Sequence, residues 1–426
     1  MSADTIFALS SGRPPAAVSI IRVSGPLAHA AGKRLGRSLP RPREAGLRVL
    51  RRADGDILDE ALVLRFDGPA SSTGEDVVEF QCHGGRAIVD AVLTELASID
   101  GLRTAVPGEF TRRAFENGRI DLTEAEGLAD LLEAETESQR KAALALAEGG
   151  LRRQVESWQE RVLQLSARAE AAIDYVDEDS VDPDPNLGED CAQLATELTS
   201  WLGRPRVEPL KDGVRVVVAG PPNAGKSSLI NAIAGQERAI VTEIPGTTRD
   251  QIEVPLSVAG IPILLTDTAG LRETSEPVER IGVDRARNLV EAADILLWMG
   301  EPGDAPAGKG LVRVHGRADL PSRRNVPSGS LPVSSTTGEG LSELLEVVGR
   351  LSRTLLPTEG EIGLNRRQAT HIAEVRDALA GSAREGDSVL IAENLRIARA
   401  ALDRLTGRAG VEDVLDALFG RFCLGK

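Results

Sequence analysis

The pattern that most restricts this chain is the run 220–227, Gly-Pro-Pro-Asn-Ala-Gly-Lys-Ser. It lies between an apolar stretch at 214–219 (Val-Arg-Val-Val-Val-Ala) and a helix-like stretch at 228–234. This is the GxxxxGK[ST] phosphate loop in the setting that motif requires, with a buried strand leading in and a helix leading out. The glycines let backbone N–H groups wrap a phosphate chain, and the helix N-terminus adds partial positive charge. Lys226 then reaches the terminal phosphates and the Ser227 hydroxyl binds magnesium, with Asn223, Ala224, Gly225 and Ser228 completing the cradle. The pattern closes the following helix at Gly235. Residues 212–350 go on to alternate strand and helix patterns, as expected of a parallel-sheet nucleotide domain.

Two more segments name the nucleotide. Residues 247–250 read Thr-Thr-Arg-Asp, and a threonine here, Thr248, can bind magnesium and sense the γ-phosphate, which makes a switch. Residues 267–270 read Asp-Thr-Ala-Gly after the apolar run 261–265. There Asp267 holds the metal through water, Thr268 and Ala269 continue the loop, and Gly270 meets the γ-phosphate. With the phosphate loop, this is the signature of a GTPase rather than a generic ATPase. Leu271 follows, where Ras-like proteins carry a water-orienting glutamine, so the attacking water must be positioned another way. The base-reading motif, normally Asn-Lys-x-Asp, reads Gly316-Arg317-Ala318-Asp319. Asp319 can still accept two hydrogen bonds from the guanine edge, and Arg317 must replace lysine. One lost neutral hydrogen bond costs on the order of 1 kcal/mol, so weaker guanine affinity with retained preference is expected. Ser334, Ser335 and Thr336 supply the last base-contacting loop.

The 426 residues suffice for about three domains. With aromatics at 3%, the cores must be built from Leu, Val, Ile and Ala. No apolar run approaches transmembrane length, and the N-terminus lacks the regions of a signal peptide, so a cytoplasmic location and no membrane partner are expected. Cys82, Cys191 and Cys423 lie too far apart for a disulfide framework or a zinc pattern. The net charge of −15 argues against a protein that grips nucleic acid alone. Any RNA contact is local or shared with a more basic partner.

Outside the nucleotide domain, 18–23 and 76–82 read as strands and 87–97 as a helix. The pattern turns helical from Thr123, which with Glu126 forms a capping-box pair. A second helix spans 151–173, an acidic loop with two prolines follows at 176–186, and helices return at 366–379, 392–405 and 411–419. The simplest organisation is a helical domain interrupted by the nucleotide domain. The expected boundaries are 1–118, 119–211, 212–355 and 356–426.

Across nearly its whole length the chain resembles the family of the tRNA-modification GTPase MnmE, also called TrmE. The residues that carry this are Asp-Thr-Ile-Phe-Ala-Leu from Asp4, 18–25, Glu-Phe-Gln-Cys-His-Gly-Gly from Glu79, 107–118, and the terminus Arg-Phe-Cys-Leu-Gly-Lys from Arg421. The implied fold class is α/β plus α: an N-terminal α/β folate-type domain that also dimerises, and a helical domain interrupted by an inserted Ras-like P-loop GTPase domain. The resemblance implies a potassium site at Asn223, completed by Thr242, Ile244 and Thr247 within the nucleotide-contacting loop that also holds Glu243, Pro245, Gly246 and Thr248. Potassium would stand where an arginine finger acts. Glu279 would orient the attacking water through a second molecule, giving catalytic roles to Glu279, Lys226 and Thr248. Arg22, Glu79, Arg119 and Lys426 match contacts to a 5-formyl- or methylene-tetrahydrofolate derivative. Arg119 stands where lysine is common, so its charge is kept and its geometry is not. Cys423 receives no catalytic role.

The implied reaction adds an aminomethyl or carboxymethylaminomethyl group at the 5-carbon of the wobble uridine of certain tRNAs. The implied assembly is a homodimer that joins an FAD-dependent partner (MnmG, also called GidA) as a heterotetramer. This chain has no GxGxxG fingerprint, so FAD must come through that partner. Two other readings compete. One is a ribosome-assembly GTPase of the Era or Der type, which should carry a KH-like RNA module after the nucleotide domain, whereas Gly407-Arg-Ala-Gly410 lacks flanking β patterns. The other is a folate-dependent one-carbon transferase with an accessory GTPase domain.

Overall fold

The computed structural model describes residues 4–174, 186–239, 253–268, 288–308, 310–358, 360–409, 412–422 and 425. The chain divides into two compact units: residues 1–129, 151–159 and 400–426 form one, and residues 130–150 and 160–399 the other.

The first unit is built on a six-stranded sheet, ordered β3-β4-β5-β2-β1-β6. Its strands are β1 (Thr5–Leu9), β2 (Val18–Ser24), β3 (Ala45–Arg51), β4 (Ile57–Phe66), β5 (Val77–His83) and β6 (Leu102–Thr104). All pairings are antiparallel except β1 with β6. Helices α1 (Ala28–Gly36) and α2 (Arg86–Ala97) contribute Ala31, Leu35, Val89, Val92 and Leu96 to a core shared with Phe7, Ile21, Val63, Val78 and Phe80. Helix α3 (Glu109–Glu116) follows. Its Arg113 is 3% exposed, yet it reaches three carboxylates: Asp4 at 2.8 Å, Glu75 at 3.1 Å and Glu109 at 3.2 Å. Arg103 adds a second cation on Asp4 and Glu109. Burial would raise the Glu109 pKa, but hydrogen bonds from Arg103, the Val106 amide and Arg113 outweigh it and hold the carboxyl below its usual range.

Helix α4 (Leu122–Glu133) begins one residue before Thr123, and its cap is not the expected pair. The Asp121 carboxylate accepts from the Glu124 amide at 2.9 Å, and Glu124 accepts from the Asp121 amide at 2.8 Å. The box is therefore Asp121/Glu124, and Thr123 donates its hydroxyl to the same Asp121 oxygen at 2.8 Å. A carboxylate is the stronger acceptor for an N-terminal amide, so it displaces the hydroxyl two residues on. The helices at Gly150–Asp174, Arg366–Ser382, Ser388–Thr406 and Glu412–Phe419 lie where helical spacing places them. Glu137–Ala147 and Leu187–Leu202, which the sequence pattern does not single out, are also helical. Most of the acidic loop at 176–186 lies outside the described residues. Among the described residues there is no strand after Val333.

The second unit carries a seven-stranded sheet with β7 (Val214–Ala219) at its centre. β10 (Ile261–Asp267) lies on one side, and β11 (Ile295–Trp298), β12 (Leu311–Gly316) and β13 (Ser330–Val333) on the other. These five run parallel. The hairpin partner β9 (Glu253–Val258) is antiparallel to β10 and leads to the short edge strand β8 (Arg238–Ala239). A central parallel strand is covered on both faces, which explains the unbroken apolar run of β7. All but Arg215 of its side chains are buried. The helices Lys226–Gln236 and Leu341–Leu355 supply Leu229, Ile230, Ile233, Leu344 and Val348 to this core. The first of them runs through Gly235 rather than stopping there, and its cap is Glu237. Without positive φ at Gly235, nothing in the backbone ends the helix at that position.

Candidate functional site: a phosphate loop, a base loop and a second polar cluster

In open parallel sheets, ligands bind beyond the carboxyl ends of the strands. The nucleotide residues read from the sequence lie there. β7 ends at Ala219 and opens the phosphate loop, β10 ends at Asp267, β12 ends at Gly316, and β13 ends one residue before Ser334. The phosphate loop needs left-handed backbone to turn its amides inward. Gly225 has φ +98° and Asn223 has φ +62°, the latter a conformation asparagine tolerates better than most residues.

Lys226 is buried, and its ammonium donates to the carbonyls of Gly220 at 3.1 Å and Pro221 at 3.0 Å. The Ser227 hydroxyl donates to the Asp267 carboxylate at 2.7 Å. A hydroxyl and a carboxylate side by side form the hard-oxygen set that magnesium takes. Thr268 points its hydroxyl at the Val218 carbonyl at 3.0 Å, so it braces the end of β7.

The 316–319 loop, which the sequence pattern assigns to base reading, lies against the phosphate loop. Arg317, at φ +61°, donates its guanidinium to the Asn223 carbonyl at 2.8 Å. The Ala318 amide donates to the Val333 carbonyl at 3.2 Å, which sets the Asp319 turn beside the 334–336 loop. Asp319 is exposed. Ser334 is fully buried, and its hydroxyl accepts from the amides of Thr336 at 3.3 Å and Thr337 at 3.1 Å. It therefore shapes the loop, and Ser335 and Thr336 present the reachable surface. Sequence reading does not reveal Arg323, which clamps the base loop by donating to the Gly316 carbonyl at 3.3 Å and whose own carbonyl is 2.8 Å from His315 Nε2. Thr242, Glu243, Ile244, Pro245, Gly246, Thr247, Thr248, Ala269, Gly270 and Glu279 lie outside the described residues, as do Cys423 and Lys426.

A second cluster forms in the first unit. Arg22 on β2 and Glu79 on β5 are register partners, joined at 2.8 Å from both guanidinium Nε and Nη2. They are only partly exposed, at 25% and 14%, so they form a sheltered pair rather than loose strand-end charges. The Arg22 guanidinium lies 5.6 Å from the Phe110 ring centroid, a cation–π contact with no signal in the sequence pattern. Arg119 packs beside Gly74, where an added Cβ would stand 3.3 Å from its Cγ. That loop is tied to the end of β2 by Ser24, which bonds Thr73 at 2.7 Å and Glu75 at 2.8 Å. The chain terminus arrives at the neighbouring strand. Gly425, at φ +90°, is buried so tightly against Leu9 that a Cβ would stand 2.0 Å from its carbonyl oxygen. Cys82 and Cys191 are free thiols, pushed by burial up to about 12 and about 11, with Asp59 and Asp190 adding to the shift, so neither offers a thiolate near neutrality.

Comparison with known proteins agrees with this geometry. Residues 5–119 match the family described as GTP-binding protein TrmE N-terminus, and residues 122–423 match the MnmE helical domain. The tRNA modification GTPase MnmE of Rhizorhabdus wittichii is 56% identical, over 100% of this chain and 97% of its own length. Its counterparts in Novosphingobium aromaticivorans and Erythrobacter litoralis are each 52% identical, over 99% of this chain and 100% of theirs. The chain belongs to the MnmE family of tRNA modification GTPases.

Proposed function

We propose that this GTPase is potassium-dependent and works with an FAD-dependent partner of the MnmG type. Together they modify the 5-carbon of the wobble uridine of certain tRNAs, with a one-carbon unit drawn from a tetrahydrofolate derivative held by Arg22, Glu79, Arg119 and Lys426. The observation that carries this reading is the sheltered Arg22–Glu79 pair, in the same unit as the Arg119 side chain beside Gly74 and Gly425 against Leu9. A guanidinium paired with a carboxylate offers both a donor and an acceptor face to a pterin ring and its glutamyl tail. The family's homodimer and heterotetramer, and a cytoplasmic location, belong to the same proposal. Among the described residues, no helix is long and apolar enough to cross a membrane.

At the nucleotide site, Asn223 is exposed, in a left-handed conformation, and Arg317 already holds its backbone carbonyl. An amide oxygen suits potassium, and Thr242, Ile244 and Thr247 would complete that site. Potassium supplies positive charge to the transferring phosphate when bound. Ser227 and Thr248 would hold magnesium, Lys226 would hold the terminal phosphates, and Glu279 would orient water. Asp319, Ser335 and Thr336 would read the base.

The test is GTP turnover in potassium against sodium buffer, with ATP and XTP alongside and Asn223→Ala as control. The expected result is GTP-selective turnover about tenfold or more faster in potassium, with the stimulation lost in the variant. Equal rates in both salts would overturn the potassium site. Equal use of all three nucleotides would overturn guanine reading by Asp319.

A further inference from the structure

The base loop lacks the asparagine that opens the usual motif, and its volume is not left empty. Met299 follows β11, and its amide donates to the Ala219 carbonyl at 2.8 Å, where the phosphate loop begins. Its Cβ would lie 3.2 Å from a Cβ on Gly220. Its terminal methyl carbon would lie 3.9 Å from a Cβ on Gly225, and 2.7 Å from a Cβ on Gly316. A Cβ on Gly316 would also stand 3.4 Å from the Ala224 carbonyl oxygen. Gly316 is thus the glycine that the end of this side chain requires. A Cβ on Gly220 meets the Met299 backbone first, at 3.1 Å from its carbonyl carbon, and one on Gly225 is in ordinary contact with the methyl. That side chain is 6% exposed and belongs to one of only two methionines in the sequence.

We propose that Met299 is a positioning residue for the nucleotide. Its methyl fills the space an asparagine at 316 would take, and so sets the spacing between the base loop and the phosphate loop. The proposal rests on the reading of 316–319 as the base loop. Methionine suits the task because its unbranched, polarizable chain fills an irregular gap between backbones. Arg317 supplies the polar tie, donating to Asn223 across the same gap, and Arg323 holds the Gly316 carbonyl from the other side. Gly316 and Met299 are therefore one unit. A side chain at 316 and a methionine at 299 compete for the same volume, and neither change alone recovers the usual motif.

The experiment measures GDP and XDP dissociation constants by calorimetry on the full chain, for wild type, Met299→Ala, Met299→Leu, Gly316→Asn and the Met299→Ala/Gly316→Asn double variant. Asp319→Asn serves as the control for the base loop. Met299→Ala and Gly316→Asn should each weaken GDP about tenfold. Met299→Leu, which conserves volume, should stay within about threefold of wild type. The double variant should bind GDP better than either single one. Met299 also belongs to the hydrophobic core, so Met299→Ala should lower the melting temperature. Affinities compared at a temperature where every variant is fully folded, with melting curves to show it, separate lost binding from lost folding. Single effects that simply multiply in the double variant, or a Met299→Ala protein that binds GDP like wild type, would overturn the proposal. Asp319→Asn should exchange GDP preference for XDP. If it does so while the coupling is absent, only the role of Met299 fails. If it does not, the base-loop reading fails and the proposal with it.

Discussion

Lys226→Ala should lose GTP turnover by about two to three orders of magnitude, the cost of removing a charged donor from the developing negative charge of a transition state. The side chain is buried at the N-terminus of its helix, and its ammonium rests on the carbonyls of Gly220 and Pro221, the first residues of the loop that wraps the phosphates. An alanine here removes a buried charge along with its partners' ligand, and it leaves the apolar packing of Leu229, Ile230 and Ile233 intact. Folding should therefore survive. The measurement is phosphate release at saturating GTP, with the melting temperature checked alongside. Undiminished turnover would place the reaction somewhere other than this loop.

The largest expected stability effect lies in the other unit. Arg113→Ala removes the shared cation from Asp4, Glu75 and Glu109 while leaving Glu75 and Glu109 buried or nearly so. Breaking a buried pair by deleting one partner costs about 3–5 kcal/mol, because the remaining charge is left uncompensated. In thermal melting, the transition of the N-terminal unit should fall by roughly ten degrees. Arg103 still reaches Asp4 and Glu109, so the loss should be partial rather than complete. The acid side carries its own sign. Glu109 has a folded pKa below its ordinary 4.5, so its contribution is present above that value and is lost as the pH falls through the lower folded value. In Arg113→Ala the loss on acidification should begin at a higher pH. A melting curve and acid limb identical to wild type would show that the three carboxylates need no cation.

The nucleotide domain was legible because its signals are local. The phosphate loop and Asp267 sit at the ends of apolar strands and Asp319 three residues beyond one, and the strand pattern places all of them at the carboxyl ends of the parallel strands. The features that escaped reading act at long range. Nothing near Met299 shows that it fills the space beside Gly316, since β11 and β12 bring the two together only once they pair. The Arg113 hub gathers Asp4, Glu75 and Glu109 from three segments, and Phe110 meets Arg22 only through tertiary packing. The cap of α4 was misplaced for a local reason. Thr123 and Glu126 satisfy the capping pattern, but Asp121 and Glu124 satisfy it with a better acceptor. The proposed folate contacts rest on resemblance, and the geometry adds that Arg22 and Glu79 are bonded to each other and sheltered.

The most direct test of the whole account is nucleoside analysis of wobble uridine in tRNA. It would compare a strain lacking this chain with the same strain carrying either wild type or Lys226→Ala. The 5-substituted uridine should be present with wild type and absent both from the deletion and with Lys226→Ala, the result expected where the proposed modification requires hydrolysis at the phosphate loop. Full modification with Lys226→Ala would contradict it.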